Sequence, residues 1–398
     1  MKGRGRMKKT FLISFLGFAF LLASTAAYSQ KIETVDGVRV IHNVKGGKWG
    51  KNPQVSIKLF QTIGDLTTED ENLSFNSPSD TAMDSAGNIY ILDSGNQRIQ
   101  KFSPEGKYLA TIGRKGQGPG EFNYPGSLDI DGQGNLYVLD PFVKKIQVLS
   151  PQGKELKSIL LLKDMIFKTR FLRTGQFAAS VYLGLGSRSE QRPKTAGLPK
   201  TLKLFDPAGQ TQNEFAPIFD YGDSNSNFSG NIVIFDIDRN DNICVSFMNQ
   251  NRLEKYSPDA HLLWKADRPL NYGTGIIEKG KVDGRSIPTM KMVSAGVTAD
   301  EKGRAWVLTL NRQIKKEEQV STTMVVGAGG IAKVKSEGNL DLQKTDMFKL
   351  EIFGPDGVLL GEIPLGQFVD YIRIIKDSLF LIDAARGAKI YQYKIIEK

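Results

Sequence analysis

Hydrophobic positions in this chain fall in short, strand-length runs separated by clusters of Gly, Asn, Asp, Ser and Pro. Runs such as Ile89-Tyr90-Ile91-Leu92 and Leu136-Tyr137-Val138-Leu139 are apolar at every position, so both faces of these strands must be covered. Residues 77–113 and 124–160 align at a period of 47 residues. Asp84 to Asn88 matches Asp131 to Asn135, and Arg98-Ile99-Gln100-Lys101-Phe102 matches Lys145-Ile146-Gln147-Val148-Leu149. A Pro turn recurs at Ser103-Pro104-Glu105-Gly106, Ser150-Pro151-Gln152-Gly153, Asp206-Pro207-Ala208-Gly209, Ser257-Pro258-Asp259-Ala260 and Gly354-Pro355-Asp356-Gly357. Proline fixes the second turn position and glycine closes most copies. Each unit therefore reads as a strand, a Gly-Asn hairpin, a strand, a loop, a strand, the Pro turn and a strand.

Four-stranded antiparallel units whose second strands are sandwiched between neighbours stack radially, giving an all-β propeller. Units are expected near 77–113, 124–160, 168–215, 231–267 and 294–365, and residues 367–395 supply three more strands. The missing strand is expected from the other end of the chain. Leu59 to Gly64 repeats the pattern of Leu109 to Gly113, and Phe75-Asn76-Ser77-Pro78 follows it as Phe122-Asn123-Tyr124-Pro125 follows its counterpart. The expected architecture is a six-bladed ring over residues 55–398, its last blade completed by the N-terminal strand. Residues 30–54 form an extension whose packing the pattern does not specify.

Asp93 to Phe102, with the flanking Gly113 to Phe122 and Pro125, resembles an NHL repeat, and the chain resembles exported bacterial six-bladed propellers of the NHL-repeat type. The likeness is specific over residues 77–160 and diverged beyond them. It implies a propeller but no single function, because NHL propellers serve as protein or RNA scaffolds, as extracellular sensors and, in some branches, as metal-dependent lyases or lactonases.

The N-terminus alters the charge picture. Lys2, Arg4, Arg6, Lys8 and Lys9 precede the apolar run from Phe11 to Leu22 and then small residues, the layout of a cleaved signal peptide over residues 1–29. The run is too short to span a bilayer. Removing five basic residues and no acidic ones lowers the net charge from +10 to +5, so a periplasmic or secreted monomer without nucleic-acid partners or a membrane span is expected. Cys244 is the sole cysteine, which excludes an intramolecular disulfide.

Candidate chemistry is sparse. Two histidines, His42 and His261, are too few for the metal-binding histidines that the lyase branch of the resemblance needs. No Gly-x-Ser-x-Gly elbow is present. Asp129 to Asn135 and Asp236 to Asn242 place oxygen ligands as the first half of a calcium loop does. Neither carries the bidentate Glu, and a hairpin uses the same residues to satisfy its own backbone, so the turn reading is preferred and no cofactor is expected, with calcium as the alternative. Asp80, Asp129, Asp236 and Asp370, with Arg170, lie in first strands and so face the central channel; a metal-dependent hydrolase or lactonase would draw on them.

Long insertions at Leu183–Pro199 and Gln313–Asp346, and long inter-blade connections at Ala216–Gly230 and Asp267–Val293, all fall on one face of such a ring. Long loops on a rigid scaffold are where binding residues concentrate. The leading expectation is a non-catalytic binding or scaffold propeller recognising a protein, peptide or glycan through this face. Arg114, Lys115, Arg188, Arg192 and Lys194 are its candidate ligand-binding residues, with Tyr272 and Trp306 as candidate stacking platforms, although core packing is the stronger expectation for Trp306.

Overall fold

A computed structural model describes residues 30–65, 68–183, 197–282, 285–326 and 332–398. The expected signal peptide, and with it residues 1–29, lies outside the described residues. Six antiparallel four-stranded blades ring a central axis. Their inner, second, third and outer strands are Pro78–Met83, Ile89–Asp93, Arg98–Phe102 and Tyr108–Ile112 in blade 1, and Ser127–Ile130, Leu136–Asp140, Lys145–Leu149 and Glu155–Leu160 in blade 2. Blade 3 comprises Ile166–Phe171, Phe177–Val181, Lys200–Phe205 and Thr211–Pro217; blade 4 comprises Val233–Ile237, Ile243–Phe247, Leu253–Tyr256 and Leu262–Asp267. Blade 5 is Ser294–Ala299, Ala305–Leu310, Phe348–Phe353 and Leu359–Pro364.

Blade 6 is built from both ends of the chain. Tyr371–Ile375, Ser378–Asp383 and Lys389–Glu397 are joined by Val55–Ile63, which runs antiparallel to the last strand with Val55 opposite Glu397 and Ile63 opposite Ile390. The core sits in the wedges between blades, where second strands are covered on both faces: Tyr90, Ile91 and Leu92 are fully buried, and so are Trp306, Val307 and Leu308. Burying one such side chain contributes about 1.5–3 kcal/mol, so the wedges dominate stability.

Residues 30–54 augment the ring. Lys31–Val35 and Val38–His42 form a hairpin whose second strand pairs in parallel with the outer strand of blade 4, Arg39 opposite Trp264, making that sheet six-stranded. Ile41 is fully buried there. Further along, the Lys48 and Trp49 amides donate to the Leu359 and Leu360 carbonyls of blade 5, at 2.9 and 2.7 Å. The long connections carry structure of their own: a short helix, Ser224–Gly230, and the hairpins Ile276–Val282/Arg285–Met290 and Val320–Val326/Ala332–Gly338. Among the described residues no helix is long and apolar enough to cross a membrane.

The Pro turns are closed by left-handed residues, Gly106 at φ +81° and Gly153 at +84°, and each of these two turns is flanked by a one-residue register shift. Such a bulge increases local twist, which the radial stacking of blades requires. Gly113 has a second role. Its φ is +79°, and a Cβ there would fall 2.2 Å from the Phe122 ring that seals the wedge to blade 2; Gly64 stands in the same relation to Phe75, at 2.5 Å. Gly113→Ala is expected to destabilise the fold by about 2–4 kcal/mol through left-handed strain and overpacking, read as a lower urea midpoint at unchanged slope.

Candidate functional site

The inner strands bring two layers of side chains to the axis. Strand pairing sets the deeper layer: Ala82, Asp129, Arg170, Asp236, Thr298 and Arg373 each lie opposite an equivalent second-strand residue. Two residues nearer the loop-rich face lie Asp80, Ser127, Lys168, Ile234, Gly296 and Tyr371. Alternation along the strands would leave two separate rings, but long cationic side chains tie them together.

Arg170 grips Asp80 with both terminal nitrogens, at 2.9 and 3.1 Å, while its Nε donates to Asp236 at 3.1 Å. Arg373 donates to Asp129 at 2.8 Å and to Asp80 at 3.3 Å. Lys168 Nζ lies 2.6 Å from Asp80, and the Thr298 hydroxyl donates to Asp236 at 2.6 Å. Three carboxylates thus balance three cations in a cluster that fills the channel. Burial alone would raise the Asp80 carboxyl, but the charges of Arg170, Lys168 and Arg373 hold it well below the usual carboxylate range. Burial, followed by the neighbouring Arg170 charge, brings Lys168 down to about 8 despite Asp80.

Above the cluster the channel opens into a cavity of about 820 Å³. All six blades contribute, through Ser79, Gly126, Lys168, Val233, Ala295 and Asp370 at the head of each inner strand. Its wall is largely apolar, with Phe142, Met248, Met347, Phe348 and Phe368, and the long connections overhang it through Ile277, Met290, Ile314 and Val320. The overhang is anchored by Arg312, which binds Glu318 at 2.6 and 2.7 Å, and by Arg386, whose guanidinium reaches the Glu318 carbonyl while stacking 3.6 Å above Phe368.

The expected site residues divide accordingly. Asp80, Asp129, Arg170 and Asp236 converge in the channel. Asp370 does not join them: its carboxylate accepts the Ala384 and Ala385 amides at 2.8 and 3.0 Å, and burial pushes its pKa up. Arg114 and Lys115 lie on the connection between blades 1 and 2, away from the cavity, with Arg114 paired to Glu121 at 2.9 Å. Arg188, Arg192 and Lys194 lie outside the described residues. Trp306 is wholly buried, its Nε1 donating to Asp300 at 2.8 Å, and Tyr272 donates to the Leu310 carbonyl at 2.8 Å.

The acidic hairpins spend their carboxylates locally, since Asp131 accepts the Gln133 and Asn135 amides and Asp238 those of Asn240 and Asn242. Both histidines are remote from the axis: His42 pairs with Asp267 at 2.6 Å at the edge of blade 4, and His261 with Asp259 at 2.8 Å on an exposed turn. Among the described residues no three His, Cys, Asp or Glu side chains converge in a set able to hold a metal ion.

Lys168, Thr298 and Arg373 were not foreseen from the sequence. A signal existed for Arg373, which lies opposite Phe380 as Asp129 lies opposite Tyr137. The inner hairpin of blade 6 is shorter, however, turning at Lys376 and Asp377, so the repeat template does not align there. Lys168 lies two residues before Arg170, in the position equivalent to Asp80, so the repeat template carried a signal for it as well.

The sequence profile of the DUF5128 family, described as a 6-bladed beta-propeller, matches residues 57–167. No curated protein matches this sequence. Among solved structures, a member of the DUF4221 family from Bacteroides vulgatus superposes with a TM-score of 0.56 at 11% identity, covering 87% of this chain and 99% of its own. A Bacteroides fragilis protein described provisionally as exported gives 0.52 at 10% identity, with 90% and 99% covered. A virginiamycin B lyase from Staphylococcus aureus gives 0.46 at 10% identity over 86% and 100%, a likeness too low to carry an argument about activity. The family profile supports the six-bladed propeller, and the two Bacteroides structures support the fold alone.

The balance of the channel cluster makes a direct prediction. Asp80→Asn leaves Lys168, Arg170 and Arg373 facing only Asp129 and Asp236, and removing one partner from a buried ion network typically costs about 3–5 kcal/mol. Adding Lys168→Met restores the charge balance and is expected to recover part of that loss, measured by denaturant unfolding of both variants.

Proposed function

We propose that this protein is an exported, non-catalytic binding propeller that receives the apolar part of a ligand in the cavity at its channel mouth. One observation carries the reading: a cavity of about 820 Å³, walled by all six blades and mostly apolar, stands above a channel whose carboxylates are already paired with cations. Pockets of this size and lining suit small organic ligands, with a few polar groups setting orientation. A glycan would need dense hydrogen-bonding along the wall, and an extended peptide would bring backbone amides and carbonyls that this wall leaves largely unmatched.

The pairing of Asp80, Asp129 and Asp236, and the backbone ties of Asp370, favour binding over a metal-dependent hydrolase or lactonase, which would need carboxylates free to bind a metal. Export rests on the basic start, the apolar run from Phe11 to Leu22 and the small residues after it. Tolerant long loops that roof the cavity are where affinity for a particular ligand is most readily tuned.

A neutral solvatochromic dye such as Nile red is expected to bind saturably, one molecule per chain. Ala295→Phe, which fills the cavity from the inner strand of blade 5, should weaken that binding at least about tenfold while leaving the thermal melt in place. Non-saturable binding, or saturable binding indifferent to Ala295→Phe, contradicts the assignment.

A further inference from the structure

We propose that the ligand of the mouth cavity is an amphipathic monocarboxylate, with its hydrocarbon body against the apolar wall and its carboxylate on Nζ of Lys168. The proposal rests on the reading of the cavity as a binding site and adds the chemistry of what fills it.

Lys168 is the member of the channel cluster that reaches the cavity. Its side chain retains 24% exposure, against 6% for Arg170 and 11% for Arg373. The two arginines have their donors committed. Arg170 bonds Asp80, Asp236 and the Thr169 carbonyl, and Arg373 bonds Asp80, Asp129 and the Thr81 and Leu128 carbonyls. An ammonium has three donors, and among the described residues Lys168 uses one, on Asp80. Asp80 in turn is shared with Arg170, Arg373 and the Leu128 amide, so its charge compensates Lys168 only in part.

Burial and the Arg170 charge both act against the cation at this point, which is the condition under which an arriving anion is stabilised. The other charged groups of the cavity are less available than Lys168. Glu318 is held by Arg312 and Asp370 is tied to backbone amides. The Arg386 guanidinium is buried, stacked on Phe368 and bonded to the Glu318 carbonyl, with Asp370 and Asp383 facing its charge, and its Nε has no partner. Lys168, the more exposed cation at the floor of an apolar cavity, matches a negative charge at the end of an apolar body.

The test compares decanoate with decanol on the full-length protein, by displacement of Nile red. Decanoate is expected to bind about tenfold more tightly than decanol, the scale of one charge-assisted hydrogen bond. In Lys168→Met the two should bind alike, with decanol unchanged. A measurement on the unaltered chain guards against misfolding of the variant: decanoate, but not decanol, should protect Lys168 from acetylation by acetic anhydride, read by peptide mass spectrometry. Equal affinities for decanoate and decanol would overturn the carboxylate assignment and leave the cavity reading standing. Failure of both to displace the dye would overturn the two together, and a decanoate preference that survives Lys168→Met, or acetylation that decanoate does not slow, would overturn the role of Lys168.

Discussion

The structure depends on one strand pairing, between Val55–Ile63 and the C-terminal strand Lys389–Glu397. A ring of blades has no stable partial form of the same geometry, because an open ring exposes two sheet edges and lets the inner strands splay. Closure fixes the tilt and depth of all six inner strands at once. Only then do residues as distant in sequence as Asp80, Arg170 and Arg373 meet within hydrogen-bonding distance.

The charge cluster follows from closure and divides the molecule. Six inner strands converging on an axis leave too little room for large apolar side chains at every position and too little water for free charges, so the axis is filled by paired ones. Ion pairs of this kind contribute little net stability against a well-packed apolar alternative, but breaking one is costly, which makes them specifiers of register more than sources of stability. The cluster also forms a largely buried floor beneath the mouth cavity. On one side lies the face of Gly-Asn and Pro turns; on the other, the apolar mouth and its overhanging connections. Lys168, the most exposed cation of the cluster, lines the mouth.

How much of this was legible in the sequence follows from how local each determinant is. The closing strand was readable because Leu59 to Gly64 repeats Leu109 to Gly113, and the structure gives the reason: each glycine lies under the aromatic ring, Phe75 or Phe122, that begins the next blade. The channel aspartates were readable from two-residue alternation on inner strands. Arg373 was not, because a shortened hairpin displaces it from the repeat template, whereas Lys168 does sit on that template, in register with Asp80. The hairpin at Lys31–His42 carries only a local pattern, and its parallel pairing with blade 4 is a long-range choice that no repeat announces. The cavity was the least visible feature: Met248, Met290, Met347 and Phe368 are scattered over loops, and a basic cluster such as Arg114-Lys115 is more conspicuous in sequence than apolar residues that meet only after folding.

Amide hydrogen exchange tests the closure most directly. If the ring is sealed as described, the alternate amides of residues 55–63 that bond to 389–397, and the amides of 389–397 themselves, are protected and lose that protection together with the buried second strands in denaturant, as one cooperative unit. Rapid exchange of every amide across 55–63 while 389–397 remains protected would show that the last blade is not completed by the early strand, and the six inner strands could not then form the mouth.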